Sequence, residues 1–222
     1  TVIGEIDQLG FLNVEHFFPY LNGSNLSTQD EILMQKHADK TSFAGISEDM
    51  NLGTSLIFYL QNISDFLDCI EKQPTFSPTN VFLTGLASDG TILFEIAKNE
   101  EQVRFENEGK KQRHRLIQAA KQGDNEAIDS LTLEDIDTYT LVRRRAIHED
   151  VFSIVDSFFM PYGVETDHYH ILGTIITCEH QVNPSTLEVV YIMDVLVNDL
   201  AITICINSSD LLGEPVVGRR FK

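Results

Sequence analysis

The sequence lacks the short motifs by which the commonest enzyme sites are recognised. The patterns GxSxG, GxxxxGK(S/T), GxGxxG and HExxH are all absent from its 222 residues. Each of them places a nucleophile, a phosphate-binding loop or a pair of metal ligands. Their absence removes the commonest routes to hydrolysis, nucleotide binding and metalloprotease chemistry, and we predict no cofactor.

Cysteine is also scarce. Cys69, Cys178 and Cys205 lie far apart, and none belongs to a CxxC or CxH pattern with metal-ligand spacing. Each thiol sits in an apolar run, where cysteine behaves as a small buried hydrophobe. We therefore expect three reduced core residues.

Long apolar runs are missing as well. No window approaches the ~18 consecutive apolar residues of a membrane span, and residues 1–5 lack the basic-then-apolar pattern of a signal peptide. These absences predict a cytoplasmic protein with no membrane partner. The chain has no initiating Met, and residues 218–222 resemble an unfinished strand, so we expect both ends to be truncated.

Basic residues are few: 16 Lys and Arg stand against 34 Asp and Glu, which gives a net charge of −18 and a pI near 4.6. Such a field repels phosphate backbones and anionic lipids, so it disfavours nucleic-acid and membrane partners. Residues 101–150, with 9 basic and 11 acidic side chains, come closest to neutrality. Any anion that the chain binds is expected there.

What remains is the composition of a globular protein, with 42% hydrophobic and 23% charged residues. Residues 1–8 and 11–20 predict a hairpin around a turn at Asp7 to Gly10, and residues 31–36 and 42–47 predict two further strands. The spacing of apolar residues from Leu52 to Ile70 predicts a helix. The segments 81–85 and 91–96 flank Ser88-Asp89-Gly90, which predicts a second hairpin.

The middle of the chain is helix-favouring. A polar helix is predicted from Lys98 to about Gln122, with Gly123 as its stop, followed by a short helix to Leu131. Thr132 to Asp135 resembles a capping box and predicts a third helix that ends at Pro161. Beyond Gly163, three antiparallel strands are predicted at 172–182, 189–197 and 200–206, with a fourth from Val217.

These elements predict an α+β fold in three parts. Residues 1–97 form a mixed α/β N-terminal part, and residues 98–163 form a helical segment that packs on it. Residues 164–222 form a C-terminal antiparallel small barrel of the OB-like kind.

Several stretches together resemble an uncharacterised domain-of-unknown-function family from anaerobic Gram-positive, clostridial-type bacteria. They are Phe18–Tyr20, His37–Lys40, Ser55–Asn62, Ser130–Tyr139, Glu149–Asp156, Phe159–Gly163 and Asp210–Pro215. The likeness covers nearly the whole chain. It implies a cytosolic protein with an N-terminal extension that this chain lacks and a short strand segment after Lys222, but no activity, cofactor or catalytic residue.

The densest group of potential metal ligands is Asp167, His168 and His170, within Glu165–His170. On a strand the two histidines would point to one face, and Glu179 or His180 of the same sheet would complete a site. The alternative is a solvated, polar entrance to a strand.

Two further groups invite a chemical interpretation. Glu134, Asp135 and Asp137, near Glu126 and Asp129, suggest paired acids for proton transfer or Mg²⁺, or simply favourable charges at a helix start. The second group consists of basic residues that would form a cationic patch for nucleic acid. The alternative is that these residues pair with acids of the same, strongly acidic chain. That patch comprises Lys110, Lys111, Arg113, Arg115, Arg143, Arg144 and Arg145.

Because no catalytic groups converge, the first functional hypothesis is a non-catalytic interaction or regulatory protein whose partner is another protein. A metal-dependent enzyme with a site near Asp167, His168 and His170 is the alternative. Nucleic-acid binding through the basic helices or the C-terminal barrel is the second alternative. The sequence does not define the oligomeric state.

Overall fold

The computed structural model describes residues 2–17, 21–23, 25–27, 32–38, 42–49, 54–76, 80–164 and 167–222. Within these ranges the chain forms both helices and β-sheets, so the predicted α+β class is confirmed. The helices are α1 (Ile63–Lys72), α2 (Glu100–Lys121), α3 (Asn125–Arg145) and α4 (Val151–Ile154). The strands are β1 (Val2–Ile6), β2 (Leu12–Phe17), β3 (Ile32–Lys36), β4 (Phe43–Asp49), β5 (Thr54–Tyr59), β6 (Leu83–Leu86), β7 (Gly90–Leu93), β8 (Phe158–Pro161), β9 (Tyr169–Val182), β10 (Val189–Val197), β11 (Leu200–Asn207), β12 (Leu211–Leu212) and β13 (Arg220–Phe221).

The chain divides into two compact units. The first contains residues 1–93 and 158–222, and the second contains residues 94–157. Most of the predicted first and third parts therefore belong to one unit. The division into three domains stays a prediction.

The first unit is built on an open sheet with the strand order β12-β7-β13-β9-β10-β11-β6, to which β8 is added beside β9. Strands β9, β10 and β11 form the antiparallel arrangement that the sequence predicts. Asn198 and Asp199, both at positive φ, make the tight turn between β10 and β11. Alternate residues of β10, such as Met193 and Val195, are fully buried in the core.

No sheet is closed in the described part of the chain, so the predicted OB-like barrel is not confirmed. Strand β6 pairs with β11 in parallel at one end of the strand order. Strand β12 lies at the other end and pairs with β7.

The predicted hairpin around Ser88-Asp89-Gly90 is wrong, although both of its strands exist. Strand β6 pairs with β11, where Leu83 lies beside Ile202, while β7 pairs with β13 and β12. Gly90 allows the close approach of the Phe221 ring, since a Cβ there would lie 2.5 Å from it. Burial of side chains against strands distant in sequence therefore decides the pairing of β6 and β7, although the turn residues favour a local hairpin.

The predicted helix from Leu52 to Ile70 is half correct. Leu52 lies outside the described residues, residues 54–59 form β5, and the helix α1 begins at Ile63. Strand β5 pairs with β4, and β4 with β3, in a three-stranded sheet. Leu56 joins the core from this strand, so its apolar spacing reflects burial of a strand rather than a helical face.

The second unit is an antiparallel pair of long helices followed by the short α4. Asn99 and Gln102 form a capping box at the start of α2, and Gly123, at φ +87°, ends the turn into α3. The predicted break at Thr132 is wrong, because the Thr132 hydroxyl donates to the carbonyl of Ile128 within a continuous α3. None of the described helices combines the length and the apolar character that crossing a bilayer requires.

Residues 146–161 do not continue the third helix either. Helix α4 covers only Val151–Ile154, and Phe158–Pro161 is strand β8. Pairing of β8 with β9 places the buried Phe159 opposite Ile171 in the first unit. The apolar residues that predicted one helix here therefore belong to two elements, the helix α4 and the strand β8.

Candidate functional site

The hairpin of β1 and β2 carries an apolar surface that the rest of the described chain leaves uncovered. Its register pairs Val2 with Phe17 and Ile6 with Leu12, and Val14 lies opposite Gly4. Cross-strand partners share a face of a hairpin. We name these five side chains the apolar hairpin face; they are between 50% and 74% exposed.

The turn of this hairpin is well ordered by its own residues. Asp7 Oδ1 accepts the backbone N–H groups of Leu9 at 2.8 Å and Phe11 at 2.9 Å, and Gly10 has a φ of +85°. This Asx-type turn holds Leu9 and Phe11 in solvent, 82% and 68% exposed. The apolar surface therefore extends from the strands onto the turn.

The surroundings of this face in the sequence are acidic. Glu5, Asp7 and Glu15 lie in the hairpin, and the first basic residue of the chain is Lys36. Acids in both the strands and the turn of this hairpin disfavour anionic lipid and nucleic acid as ligands. They suit a protein surface with Lys and Arg around an apolar centre.

The helical unit has little core of its own. In residues 94–157, all of which the structure describes, the buried side chains are Ile117, Ala120, Ala127 and Leu131. They lie near the turn between α2 and α3, so the open ends of both helices remain exposed.

Lys98 connects the two ends of the helical unit. Its Nζ contacts a carboxylate oxygen of Glu106 at 2.8 Å and also contacts Asp156. Partial burial lowers the pKa of Lys98, but the hydrogen bonds to Asp156 and Glu106 outweigh it and the net pKa is raised. Lys98 therefore stays charged and ties the start of α2 to the segment after α4.

The predicted metal ligands do not converge in the described part of the chain. His168 Nε2 lies 3.5 Å from Asp167 Oδ1, with both side chains exposed, and His170 packs edge-on against Tyr162. Glu179 and His180 lie about 30 Å from His170 along β9. No three His, Cys, Asp or Glu side chains there are placed to hold an ion. Glu165 lies outside the described residues, and the metal site stays a prediction.

The predicted basic patch is divided between two places. Arg113 Nη1 on α2 lies 2.9 Å from Asp135 Oδ1 and 3.7 Å from Glu134 Oε2 on α3. The run from Arg143 to Arg145 lies about 12 to 15 Å further along α3. The nucleic-acid patch stays a prediction.

The remaining members of these two groups are distributed along the helices. Arg145 binds Glu149 at 2.6 Å, which lowers the pKa of that exposed carboxyl. Lys110, Lys111 and Arg115 lie along α2, whereas Glu126, Asp129 and Asp137 lie along α3. The acids thus follow one helix rather than meeting as a catalytic pair.

The sequence analysis missed a polar network at the centre of the large sheet. Asp194 is 4% exposed on β10, and its two carboxylate oxygens accept the hydroxyls of Thr177 on β9 and Thr203 on β11, each at 2.7 Å. On the adjoining strand, Thr84 is the register partner of Thr203 and accepts a hydrogen bond from Gln61 Nε2 at 2.6 Å.

This network satisfies a buried carboxyl group rather than presenting it to a ligand, because the hydroxyls of two threonines contact both of its oxygens. One signal was available in the sequence. Asp194 is the one acid in the otherwise apolar or aromatic run Val189–Val197. A buried acid in such a strand must find partners on the neighbouring strands.

Two of the three cysteines, Cys178 and Cys205, are poor candidates for nucleophiles. All three are free thiols, and burial raises the pKa of Cys178 and of Cys205. A raised pKa keeps the thiol protonated, whereas catalysis needs the thiolate.

Comparison with known proteins gave one match. A family model described as a domain of unknown function named after an E. rectale gene, DUF3881, matches residues 1–222. This match confirms the resemblance seen in the sequence and supports a bacterial origin. Neither the curated proteins nor the solved structures gave a match.

Proposed function

The chain belongs to the DUF3881 family, whose function is unknown, and we propose that it is a non-catalytic interaction protein. It binds a partner protein through the apolar hairpin face. The observation that carries this proposal is the exposure of all five apolar side chains on one face of a two-stranded sheet.

The energetics of an isolated hairpin support this proposal. A two-stranded hairpin is marginally stable in water unless one face packs against something. Here Ile3, on the opposite face, is buried, whereas the apolar hairpin face is not. Covering a Val, Leu, Ile or Phe side chain contributes about 1.5 to 3 kcal/mol, so a partner that covers this face also stabilises the hairpin.

The chemistry of the partner follows from the charges. The face includes the aromatic ring of Phe17, and the turn beside it exposes the ring of Phe11. Acids lie in the strands and the turn of the hairpin. Aromatic residues are enriched in protein interfaces. The expected partner is therefore a protein that offers an apolar surface with Lys or Arg around it.

The first prediction tests this face directly. A photo-crosslinking residue in place of Phe17 is expected to trap one discrete partner protein in cells, because Phe17 is 74% exposed within the face. The same residue in place of Val164, which is 92% exposed elsewhere in the first unit, is the matched control. The trapped partner is then purified and titrated against the wild-type chain.

Two substitutions complete this test. Ile6→Asp with Leu12→Asp is expected to weaken binding of the purified partner at least about tenfold, because two carboxylates would have to enter an apolar contact. Val164→Asp is expected to leave the affinity unchanged. Equal binding by both variants, or turnover in a broad hydrolase and phosphatase screen, would contradict the proposal.

A further inference from the structure

Helix α3 carries a second uncovered surface, on a different unit from the apolar hairpin face. Asp129, Ile136 and Arg143 follow one another at intervals of seven residues, with Thr132 and Tyr139 between them. Seven-residue spacing keeps side chains within about 20° of one line on a helix. We name these five residues the α3 stripe.

The α3 stripe is open to solvent. Ile136 is 55% exposed and Tyr139 is 67% exposed, and the other three residues are exposed as well. The contact of α3 with α2 uses a different side of the helix, through Ala127 and Leu131. Neither Asp129 nor Arg143 forms an ion pair with any residue that the structure describes.

The charges of α3 are strongly polarised along its axis. Residues 125–137 contain five acids and no base, whereas residues 138–145 contain three arginines and no acid. Two copies of such a helix repel each other when they lie parallel, because acid meets acid and arginine meets arginine. When they lie antiparallel, the acidic half of one copy meets the basic half of the other.

One antiparallel register matches the α3 stripe as well as the overall charge. Ile136 is the midpoint between Asp129 and Arg143, which lie about 21 Å apart along the axis. With Ile136 on a two-fold axis, each Asp129 lies opposite the Arg143 of the other copy. The two Tyr139 rings then flank the central isoleucines.

We propose that the α3 stripe binds the α3 stripe of a second copy of this chain, antiparallel and centred on Ile136, with two reciprocal Asp129–Arg143 ion pairs. Such an isologous contact is closed by its two-fold symmetry and does not form filaments. Two helices that pack over this length form an interface at the small end of specific complexes. Self-association in the roughly micromolar range is therefore expected.

A charge-reversal cycle on the full chain tests this proposal by sedimentation velocity across a wide range of concentrations. The wild-type chain is expected to dimerise, and added salt is expected to weaken the dimer, since exposed ion pairs are screened. Asp129→Arg alone and Arg143→Asp alone are each expected to raise the dimer Kd by about a hundredfold, because each creates two like-charge contacts. The double variant restores both pairs in reverse and is expected to regain the dimer.

Neighbouring residues supply matched controls. Asp137 directly follows Ile136, and Arg144 directly follows Arg143, so each lies about 100° around the helix from its neighbour in the α3 stripe. Asp137→Arg and Arg144→Asp make the same charge changes on the same helix but outside the α3 stripe, so they are expected to leave the dimer Kd unchanged. Circular dichroism of every variant checks that the helices persist.

Three results would overturn the proposal. The first is a wild-type chain that stays monomeric throughout, in which case any occupant of the stripe is a different protein. The second is a dimer that either single reversal leaves intact. The third is a failure of the double variant to dimerise while both single variants retain their helical content.

Discussion

Replacing Phe221 with alanine is expected to lower the free energy of unfolding of the first unit by about 4 kcal/mol. The ring is 2% exposed and belongs to the main core cluster. It lies against Gly90 and Ile206, so its loss leaves a cavity that surrounding strands cannot easily fill.

The effect is large because of where Phe221 lies in the sheet. Strand β13 sits between β7 and β9, and Phe221 is the register partner of Ile92 on one side and Gly173 on the other. Weakening β13 therefore also weakens the attachment of β7. Chemical denaturation followed by circular dichroism measures the change.

Two further variants keep this prediction testable. Val217→Ala removes an apolar side chain that is 60% exposed nearby, and it is expected to change stability by less than about 0.5 kcal/mol. Phe221→Leu keeps most of the volume and is expected to cost less than Phe221→Ala, so it reports on the site if the alanine variant fails to fold. Equal stabilities of Phe221→Ala and Val217→Ala would show that the ring is not part of the core.

Replacing Thr203 with valine is expected to cost about 2 kcal/mol, although the two side chains have nearly the same shape. The Thr203 hydroxyl donates at 2.7 Å to Asp194, and both residues are buried. Valine removes this donor and leaves the carboxylate in the same dry surroundings. The expected cost is thus that of a buried carboxyl oxygen left without its hydrogen-bond donor, and not that of a cavity.

A double-mutant cycle isolates this effect. In an Asp194→Leu background the carboxylate is gone, so Thr203→Val is expected to cost less than about 0.5 kcal/mol there, because no buried acceptor is left without its donor. Thr177→Val is expected to cost less than Thr203→Val, since Thr177 is exposed and water replaces its hydroxyl. The same cost for Thr203→Val in both backgrounds would contradict the role given to Asp194.

The elements that the sequence analysis predicts correctly are those whose partners are close along the chain. Strands β9, β10 and β11 are rich in β-branched residues and are joined by short turns, so each finds its partner locally. The hairpin of β1 and β2 is predicted for the same reason, since Asp7 and Gly10 define its turn.

The errors have a common physical origin in long-range pairing. The turn at Ser88-Asp89-Gly90 favours a hairpin locally, yet β6 gains more by burying Leu83 beside Ile202. Nothing near residue 83 in the sequence indicates a partner at residue 202. Similarly, Thr132 matches a capping box, but its hydroxyl has a competing acceptor in the carbonyl of Ile128.

For the candidate surfaces, too, the sequence predicts local features but not contacts with distant parts of the chain. Alternating apolar residues in β1 and β2 predict a face that packs on something, but a pattern cannot say whether that something belongs to the same chain. The exposure of Phe17 and Ile6 answers this question for the described residues. In contrast, the buried hydrogen bonds of Asp194 could have been predicted from the sequence, because Asp194 is an isolated acid within an apolar strand.

The position of β7 has a consequence for the order in which the protein folds. Both strands that pair with it, β12 and β13, begin more than a hundred residues later in the chain. Contacts of such sequence separation form slowly, because a long loop must close first. During synthesis the backbone amide groups of β7 therefore stay unpaired while more than half of the 222 residues are still being made. In that interval β7 is open to pairing with another nascent chain.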